Sequence, residues 1–149
     1  MPEKYRKCVG IVVCNNDKKV LLCERNDIPN QWQFPQGGIE KNETLLEAAY
    51  RELREETSIV SIKKFAVLEG PFRYDFPPLV KAKFKHVGQE VSWVFLEFVG
   101  SDDEINLDTA YPEFDDWKWA DIDEALVNIV DFKSDVYKKA VDFFKSVVK

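Results

Sequence analysis

Three glutamates in one segment have the residue type and the spacing to hold a metal ion. Glu52, Glu55 and Glu56 stand one, three and four residues apart, so on a helix of 3.6 residues per turn they share about 100° of arc. Like charges at this spacing repel and weaken an isolated helix by roughly 0.2–0.5 kcal/mol per pair. A hard divalent cation such as Mg²⁺ prefers oxygen ligands and would turn this repulsion into a binding site. The alternative is a solvated acidic face without a ligand.

The neighbours of these glutamates favour the metal site. Gln36-Gly37-Gly38 precedes the segment, and a backbone carbonyl at a glycine can approach a metal because no Cβ stands in the way. Arg51 has Glu47 and Glu55 at four-residue steps and Glu43 further back. An arginine in this position can pair with several acids and fix the geometry of the carboxylates.

These residues need a helix and a sheet to position them. The predicted strands are residues 9–14, 20–23, 65–68, 91–99 and 117–119, and the predicted helices are residues 44–57, 122–130 and 136–148. The helix 44–57 has its apolar residues on one face. Residues 71–88 contain three prolines and are predicted to form an irregular connection. Strands interleaved with helices predict an α/β sandwich.

Length and composition set the class of protein. The chain has 149 residues, of which 45% are hydrophobic, so a single domain spanning residues 1–149 is expected. No apolar run is long enough to span a bilayer and the start has no cleavage pattern of a signal peptide, which predicts a cytoplasmic protein without a membrane partner. A formal net charge of −6 argues against sequence-independent binding along a nucleic-acid backbone.

Cysteine and histidine usage excludes other chemistries. Cys8, Cys14 and Cys23 are odd in number and lack a Cys-x-x-Cys pair, so they are predicted to be buried thiols in a reducing compartment. His86 is the only histidine. A histidine-based metal site is therefore excluded, and a Ser-His or Cys-His triad is disfavoured.

With these residues in place, residues 37–59 resemble the Nudix box. The match consists of Gly37, five residues, Glu43, seven residues, and then Arg-Glu-apolar-x-Glu-Glu from Arg51 to Glu56. The resemblance implies a Nudix-type α/β/α sandwich with a mixed β-sheet and a loop-helix catalytic motif. It also implies a hydrolase that cuts phosphoanhydride bonds in nucleotide-linked polyphosphates with Mg²⁺, for which Mn²⁺ or another divalent cation can substitute.

The resemblance assigns roles to individual residues. It implies metal ligation by a set of one glycine carbonyl and four glutamates, namely Gly37, Glu52, Glu55, Glu56 and Glu113. Glu43 and Arg51 would brace the loop-helix unit, and Arg51 counts with the catalytic residues for that reason. Glu56 is the first candidate for the general base, and Glu113 is the alternative. Ser58 departs from the usual glycine, which suits a left-handed C-cap, so the helix exit is predicted to differ at a cost of about 1 kcal/mol.

Residues outside the box resemble the branch of RNA pyrophosphohydrolases and dinucleoside tetraphosphate hydrolases. The matching segments are Trp32-Gln33-Phe34-Pro35-Gln36, Gly88-Gln89 followed by Trp93, Pro112-Glu113-Phe114-Asp115, and Phe132-Lys133. The resemblance implies that Arg6, Tyr74 and Lys133 contact substrate phosphates, and that Arg25 and Phe132 sandwich a base. The expected partner is a nucleotide substrate, either an RNA 5′ end or a dinucleoside polyphosphate, bound by a monomer; protein partners are unknown.

The first expectation for the substrate is the 5′-triphosphate end of RNA, from which pyrophosphate is removed, and asymmetric hydrolysis of diadenosine tetraphosphate is the alternative. Ser134 and Glu90-Val91-Ser92 stand where this branch commonly has more basic residues, and the missing positive charge weakens the RNA expectation. A third alternative is another Nudix substrate, such as a nucleoside triphosphate or ADP-ribose. A non-catalytic nucleotide-binding module is the alternative from another class, but such a module is expected to lose a carboxylate that this helix retains.

Overall fold

A mixed β-sheet covered by helices is the framework of the protein. The computed structural model describes residues 4–82, 84–127 and 129–148. The strands are β1 Tyr5–Cys14, β2 Val20–Arg25, β3 Trp32–Gln33, β4 Gln36–Gly38, β5 Ile62–Asp75, β6 Gly88–Phe98 and β7 Phe114–Ala120. The α-helices are α1 Leu45–Thr57, α2 Pro78–Lys81 and α3 Asp131–Val147, and short 3₁₀ helices lie at Asp102–Glu104 and Ile122–Leu126. Among these described residues, no helix combines the length and apolar character that crossing a bilayer requires.

The sheet has both parallel and antiparallel pairs. Its order is β3-β2-β1-β6-β5, with β4 added to β1 and β7 added to β2. β1 and β6 run parallel in the centre, whereas the other pairs are antiparallel. The mixed sheet predicted from the resemblance is therefore present, and its two central strands are nearly continuous apolar runs because both of their faces are covered.

Helices cover the two faces of the sheet. On one face α1 packs its buried side chains against alternate residues of β1, β2 and β6, in a cluster that includes Val9, Ile11, Leu21, Ala48, Ala49, Leu53, Val94 and Leu96. On the other face α3 packs against the intervening residues, in a cluster that includes Val12, Leu22, Trp93, Phe95, Val136, Tyr137, Ala140 and Phe144. This arrangement confirms the α/β/α sandwich. Cys8, Cys14 and Cys23 are buried and free, as predicted.

The connection predicted over residues 71–88 is wrong in its first part. β5 continues to Asp75 and pairs with β6 through Phe72↔Val91, Arg73↔Glu90 and Tyr74↔Gln89. The strand accommodates Pro71 because β5 is an edge strand and its register shifts between Leu68 and Phe72. The remainder contains the short helix α2, with proline in its first turn; Lys83 lies outside the described residues.

The helix predicted over residues 122–130 is also wrong. Ile122–Leu126 forms a 3₁₀ helix that ends in the extended residue Val127, and Asn128 lies outside the described residues. The β-branched residues at its end explain the difference, because Val and Ile lose side-chain freedom in a helix. α3 begins at Asp131 rather than at residue 136, so Phe132 and Lys133 lie in its first turn.

Candidate active site

α1 carries the glutamates and has well-formed ends. A capping box starts it, because Thr44 Oγ1 accepts the N–H of Glu47 at 3.1 Å and Glu47 Oε1 accepts the N–H of Thr44 at 2.9 Å. Ser58 ends it in the left-handed conformation, with φ 67°. The helix exit is thus the one that a glycine would make, contrary to the prediction. Ser58 Oγ donates to the carbonyl oxygen of Asn106 at 2.9 Å, which helps to hold this backbone conformation.

Glu56 is the most buried of the three helical glutamates. Its residue is 6% exposed, and its Oε2 atom has no hydrogen-bond partner among the described residues. Burial first, and then the charges of Glu113 and Glu52, raise the pKa of Glu56 to about 10. A buried carboxyl oxygen without a partner costs free energy, and a cation beside it would remove that cost.

Gly37 does not lie in a turn but on strand β4, which pairs with β1, and it is directly against Glu52. A Cβ built on Gly37 would stand 2.1 Å from Cδ of Glu52, so position 37 admits no side chain while Glu52 keeps its place. Burial raises the pKa of Glu52, while the neighbouring Arg51 opposes this rise. Glu55 is the exposed member of the set. The three glutamates therefore extend from the interior to the surface beside the Gly37 backbone.

Arg51 links strand β4, the loop before α1 and α1 itself. Its Nε and Nη2 donate to the two carboxylate oxygens of Glu43 at 2.6 and 2.9 Å, and Nη2 also donates to the carbonyl oxygen of Gly38 at 2.8 Å. Nη1 donates to Glu52 at 2.8 Å and to Glu55 at 3.2 Å. The Arg51 guanidinium holds the pKa of Glu43 at about 2. The structure places Arg51 where it positions carboxylates, and a planar guanidinium suits several such bonds at once.

Glu113 reaches the glutamates from a distant part of the chain. It directly precedes β7, whose pairing with β2 ends at Phe114 opposite Arg25. The N–H of Asn26 donates to the backbone oxygen of Glu113 at 3.0 Å, and Asn26 Nδ2 donates to the oxygen of Pro112 at 2.8 Å. These bonds fix the backbone that presents the Glu113 carboxyl to Glu56.

One cavity of about 940 Å³ collects the main candidate groups. The predicted site residues that line it are Arg6, Arg25, Gly37, Glu52, Glu55, Glu56 and Glu113. A second cavity of about 360 Å³ borders Tyr50 and Val60 on α1 and the following loop. Its lining does not include Glu52, Glu56 or Glu113, so we assign the site to the larger cavity.

The structure does not bring every predicted substrate residue to this cavity. Tyr74, Phe132 and Lys133 are outside its described lining. The hydroxyl of Tyr74 donates to Gln89 Oε1. The Phe132 ring packs against Tyr74 with ring centroids 5.6 Å apart. Burial lowers the pKa of Lys133 to about 8, helped by the positive charge of Arg25.

Some cavity residues were not predicted. Gln36 and Gln89 line it, and Gln36 Nε2 donates to Gln89 Oε1 at 3.0 Å. Gly88-Gln89 belongs to the branch pattern, and that pattern was a signal for Gln89. Phe84 and Tyr111 also line the cavity; their sequence surroundings carry no motif, so only the fold reveals them.

The donor set fits a hard divalent cation. Within residues 4–82, 84–127 and 129–148, no three acidic, cysteine or histidine side chains stand in a ready-made ligand cage. Mg²⁺ does not require one, because it keeps several waters and uses one or two carboxylates together with substrate phosphate. The partnerless Oε2 atom of Glu56, beside Glu52 and Glu113, supplies the all-oxygen environment that such an ion prefers.

The fold and the site define a Nudix protein. The sequence model of the NUDIX domain matches residues 4–140, and the chain belongs to this family of hydrolases. Among curated relatives, the RNA pyrophosphohydrolase of Pelagibacter ubique is 43% identical over 96% of this chain and 93% of its own length. Nudix hydrolase 26, chloroplastic, of Arabidopsis thaliana is 42% identical over 97% of this chain and 71% of its own length.

Solved structures show the same fold at lower sequence identity. The dihydroneopterin triphosphate pyrophosphohydrolase of E. coli is 22% identical, with a TM-score of 0.71 over 95% of this chain and 97% of that one. An Ap4A hydrolase of C. elegans, solved as a binary complex, is 20% identical, with a TM-score of 0.66 over 95% of this chain and 98% of that one. At these identities the likeness concerns the fold alone.

Proposed function

We propose that this protein removes pyrophosphate from the 5′-triphosphate end of RNA in a reaction that depends on a divalent cation. The observation that carries the proposal is one cavity lined both by glutamates and by arginines, namely Glu52, Glu55, Glu56 and Glu113 with Arg6, Arg25 and Arg54. Carboxylates suit a metal, and arginines suit phosphate oxygens. A polyphosphate is the ligand that needs both.

Different residues of the cavity have different roles in the proposed hydrolysis. Divalent cations held by Gly37 and the glutamates would neutralise the polyphosphate and activate the attacking water. Arg6 binds phosphate oxygens and orients the chain of phosphates, whereas Arg25 stacks on a base of the substrate. Glu56, or Glu113 as the alternative, accepts the proton of the water. Water attacks, the bond between the α- and β-phosphates breaks, and an RNA 5′-monophosphate and pyrophosphate leave.

Sequence similarity supports RNA as the substrate. The relatives named as RNA pyrophosphohydrolases match nearly the whole chain, including one from Dinoroseobacter shibae at 42% identity over 94% of this chain. Beside its carboxylates, the cavity lining holds three arginines, Arg6, Arg25 and Arg54, as a local positive charge on a chain of formal charge −6. Local charge of this kind suits one end of a nucleic acid rather than its whole backbone.

Asymmetric hydrolysis of diadenosine tetraphosphate is the second candidate. The acidic Glu90 on β6 and the missing basic residue at Ser134 favour a small substrate over RNA. The same carboxylates and arginines would hold its tetraphosphate. Both candidates share the bond type; they differ in whether the first nucleoside continues into an RNA chain or is joined through phosphates to a second adenosine.

A direct comparison of substrates tests the proposal. We would measure kcat/KM for a short 5′-triphosphorylated RNA and for diadenosine tetraphosphate, with magnesium and with chelator, on one preparation. Preference for RNA that chelation abolishes is the expected result, and preference for the dinucleotide would replace the proposal by the second candidate. Replacing magnesium by manganese in the same assay identifies the preferred metal. Turnover unaffected by chelation would overturn the metal dependence.

The sequence supports three further parts of this proposal, which concern domain count, oligomeric state and location in the cell. They are a single domain over residues 1–149, a monomer, and action in the cytoplasm without a membrane partner. Sedimentation analysis of the purified chain tests the monomer. A sedimenting species of twice the chain mass would contradict it.

A further inference from the structure

Phe84 is an exposed aromatic residue on the border of the catalytic cavity. It is 56% exposed, and it lines the cavity together with the glutamates and arginines. One face of its ring stacks on Phe76, with centroids 4.9 Å apart and planes at 28°. With one face covered and more than half of the residue exposed, the other face of the ring is free to receive a flat ligand.

The Phe84 ring is held in place by a chain of aromatic contacts. Phe76, on which it stacks, packs against Phe132 with centroids 6.4 Å apart and against Tyr74 with centroids 6.1 Å apart. Tyr74 is buried, so the series connects the cavity border to the core. A supported ring loses less conformational entropy on binding than a free side chain does.

Phe84 and Phe132 contact Phe76 in different ways. The Phe84 ring stacks on Phe76, whereas the Phe132 ring stands nearly perpendicular to it at 82°. Phe84 is part of the described cavity lining and Phe132 is outside it, so a base stacked on the free face of Phe84 would occupy a different position from a base held by Arg25 and Phe132. The two rings offer two different positions.

A single exposed apolar residue needs no function by itself. Leu79 on α2 is 85% exposed and is outside the described lining of the cavity. Phe84 differs from Leu79 in its ring, its support by Phe76 and its place in the cavity. Exposed Lys81 and Lys85 flank it, and the N–H of Phe84 donates to the oxygen of Lys81 at 3.1 Å, so positive charge for a phosphodiester lies nearby.

We propose that Phe84 is a stacking platform for a second nucleobase of the substrate, distinct from the base position of Arg25 and Phe132. The inference rests on the proposed function, because it requires a substrate with more than one nucleoside. Aromatic side chains stack any base with little sequence preference. Phe84 would therefore favour longer substrates over mononucleotides without selecting a base.

Binding of triphosphorylated trinucleotides tests this platform. The ligands carry a non-cleavable α,β-methylene bridge and either three adenines or one abasic site at position one, two or three. Kd is measured with magnesium for the wild type and for Phe84→Ala, Phe84→Leu, Leu79→Ala and Arg25→Ala. Phe84→Leu keeps apolar packing against Phe76 without the aromatic ring, and Leu79→Ala is the matched surface control.

We expect Phe84→Ala and Phe84→Leu to weaken binding of the full trinucleotide about tenfold, and Leu79→Ala less than twofold. For one of the three abasic ligands, the two Phe84 variants should bind as tightly as the wild type. For Arg25→Ala, the loss of affinity should vanish for a ligand with its abasic site at a different position. Unchanged Kd in both Phe84 variants, equal loss on all abasic ligands, or the same position for Phe84 and Arg25 would overturn the inference. Cleavage of the unmodified trinucleotide by the wild type tests the proposed function separately.

Discussion

Gly37 and Glu52 are in such close contact that a Cβ on the glycine would lie 2.1 Å from Cδ of the glutamate. Gly37→Ala is expected to displace the Glu52 carboxyl and lower kcat at least tenfold, since catalytic groups tolerate little misplacement. The measurement is steady-state turnover with saturating magnesium.

Gly100→Ala is the control for this variant. Its added Cβ would lie 2.5 Å from Oε1 of Glu104, which makes it similarly crowded, but it is outside the described lining of the cavity. We expect Gly100→Ala to change Tm and leave kcat within twofold. Equal kcat in the Gly37→Ala variant and the wild type would refute the role of the close contact.

Glu56→Gln is expected to reduce turnover at least a hundredfold and to leave the fold intact. Glutamine keeps the shape of the side chain but can neither ligate a cation as an anion nor accept a proton. Magnesium should raise the Tm of the wild type and not that of the variant. Glu69→Gln, an exposed residue on β5, is the control for loss of one charge. Near-normal turnover of Glu56→Gln would remove Glu56 from the site.

Glu56 also makes a pH dependence of stability testable. Its pKa is raised from 4.5 to about 10 in the metal-free fold, whereas in the unfolded chain it titrates near pH 4.3. Between these values the folded state retains a proton that the unfolded state has lost. The free energy of unfolding therefore falls as pH rises, by up to about 1.4 kcal/mol per pH unit. The stabilisation that the protonated Glu56 gives to the folded state is fully present only below the pKa of the unfolded chain.

Urea unfolding with chelator from pH 6 to pH 9 measures this dependence. The wild type should lose stability more steeply than Glu56→Gln over that range. Added magnesium should flatten the wild-type slope, because a bound cation favours the ionised carboxylate. Parallel slopes in the two proteins would contradict the assignment of the titration to Glu56.

Arg51→Lys is expected to cost about 2 kcal/mol of stability and at least tenfold in kcat. Lysine keeps the charge but cannot bond Glu43, Gly38 and Glu52 with one planar group. Arg73→Lys is the matched control, since the Arg73 side chain is 61% exposed and bonds Glu90 on the surface at 2.9 Å; its loss should be under about 0.5 kcal/mol. Equal changes in both variants, measured by urea unfolding and turnover, would show that Arg51 has no special role.

Phe132→Ala is expected to lower Tm by several degrees as well as raise KM. Its ring packs against Tyr74 and Phe76, so its removal takes support from the aromatic series. Phe132→Leu should recover most of the stability and little of the affinity. A normal Tm together with a raised KM in Phe132→Ala would instead mark a purely substrate-binding ring.

Local sequence determined the helix of the site. The apolar periodicity of residues 44–57 and the Thr44–Glu47 capping box specify α1 almost to the residue, because helical bonds and caps connect residues three or four positions apart. The same locality places Glu52, Glu55 and Glu56 on one patch. The strand 117–119, with both indoles on one face, likewise results from the two-residue period of β7.

Local sequence patterns gave the wrong secondary structure in two segments, for two different reasons. Residues 71–75 contain Pro71 and look irregular, yet pairing with β6 extends β5 through them. Residues 122–126 have helical composition, but the β-branched residues at the end of the predicted helix, among them Val127, end it early. The first segment shows a local preference overridden by strand pairing, whereas the second shows one local preference prevailing over another.

By itself the sequence determined the class of fold, the helix that carries the three glutamates and the bracing role expected of Arg51, since these depend on spacing within one segment. Tertiary structure alone decided that Gly37 leaves no room before Glu52 and that Phe84 borders the cavity. It also placed Glu113, which only the resemblance had assigned to the metal site, beside Glu56. These relations join residues far apart in the chain. Burial of Glu56, and hence its raised pKa, exists only once the sheet and α1 have excluded water from it.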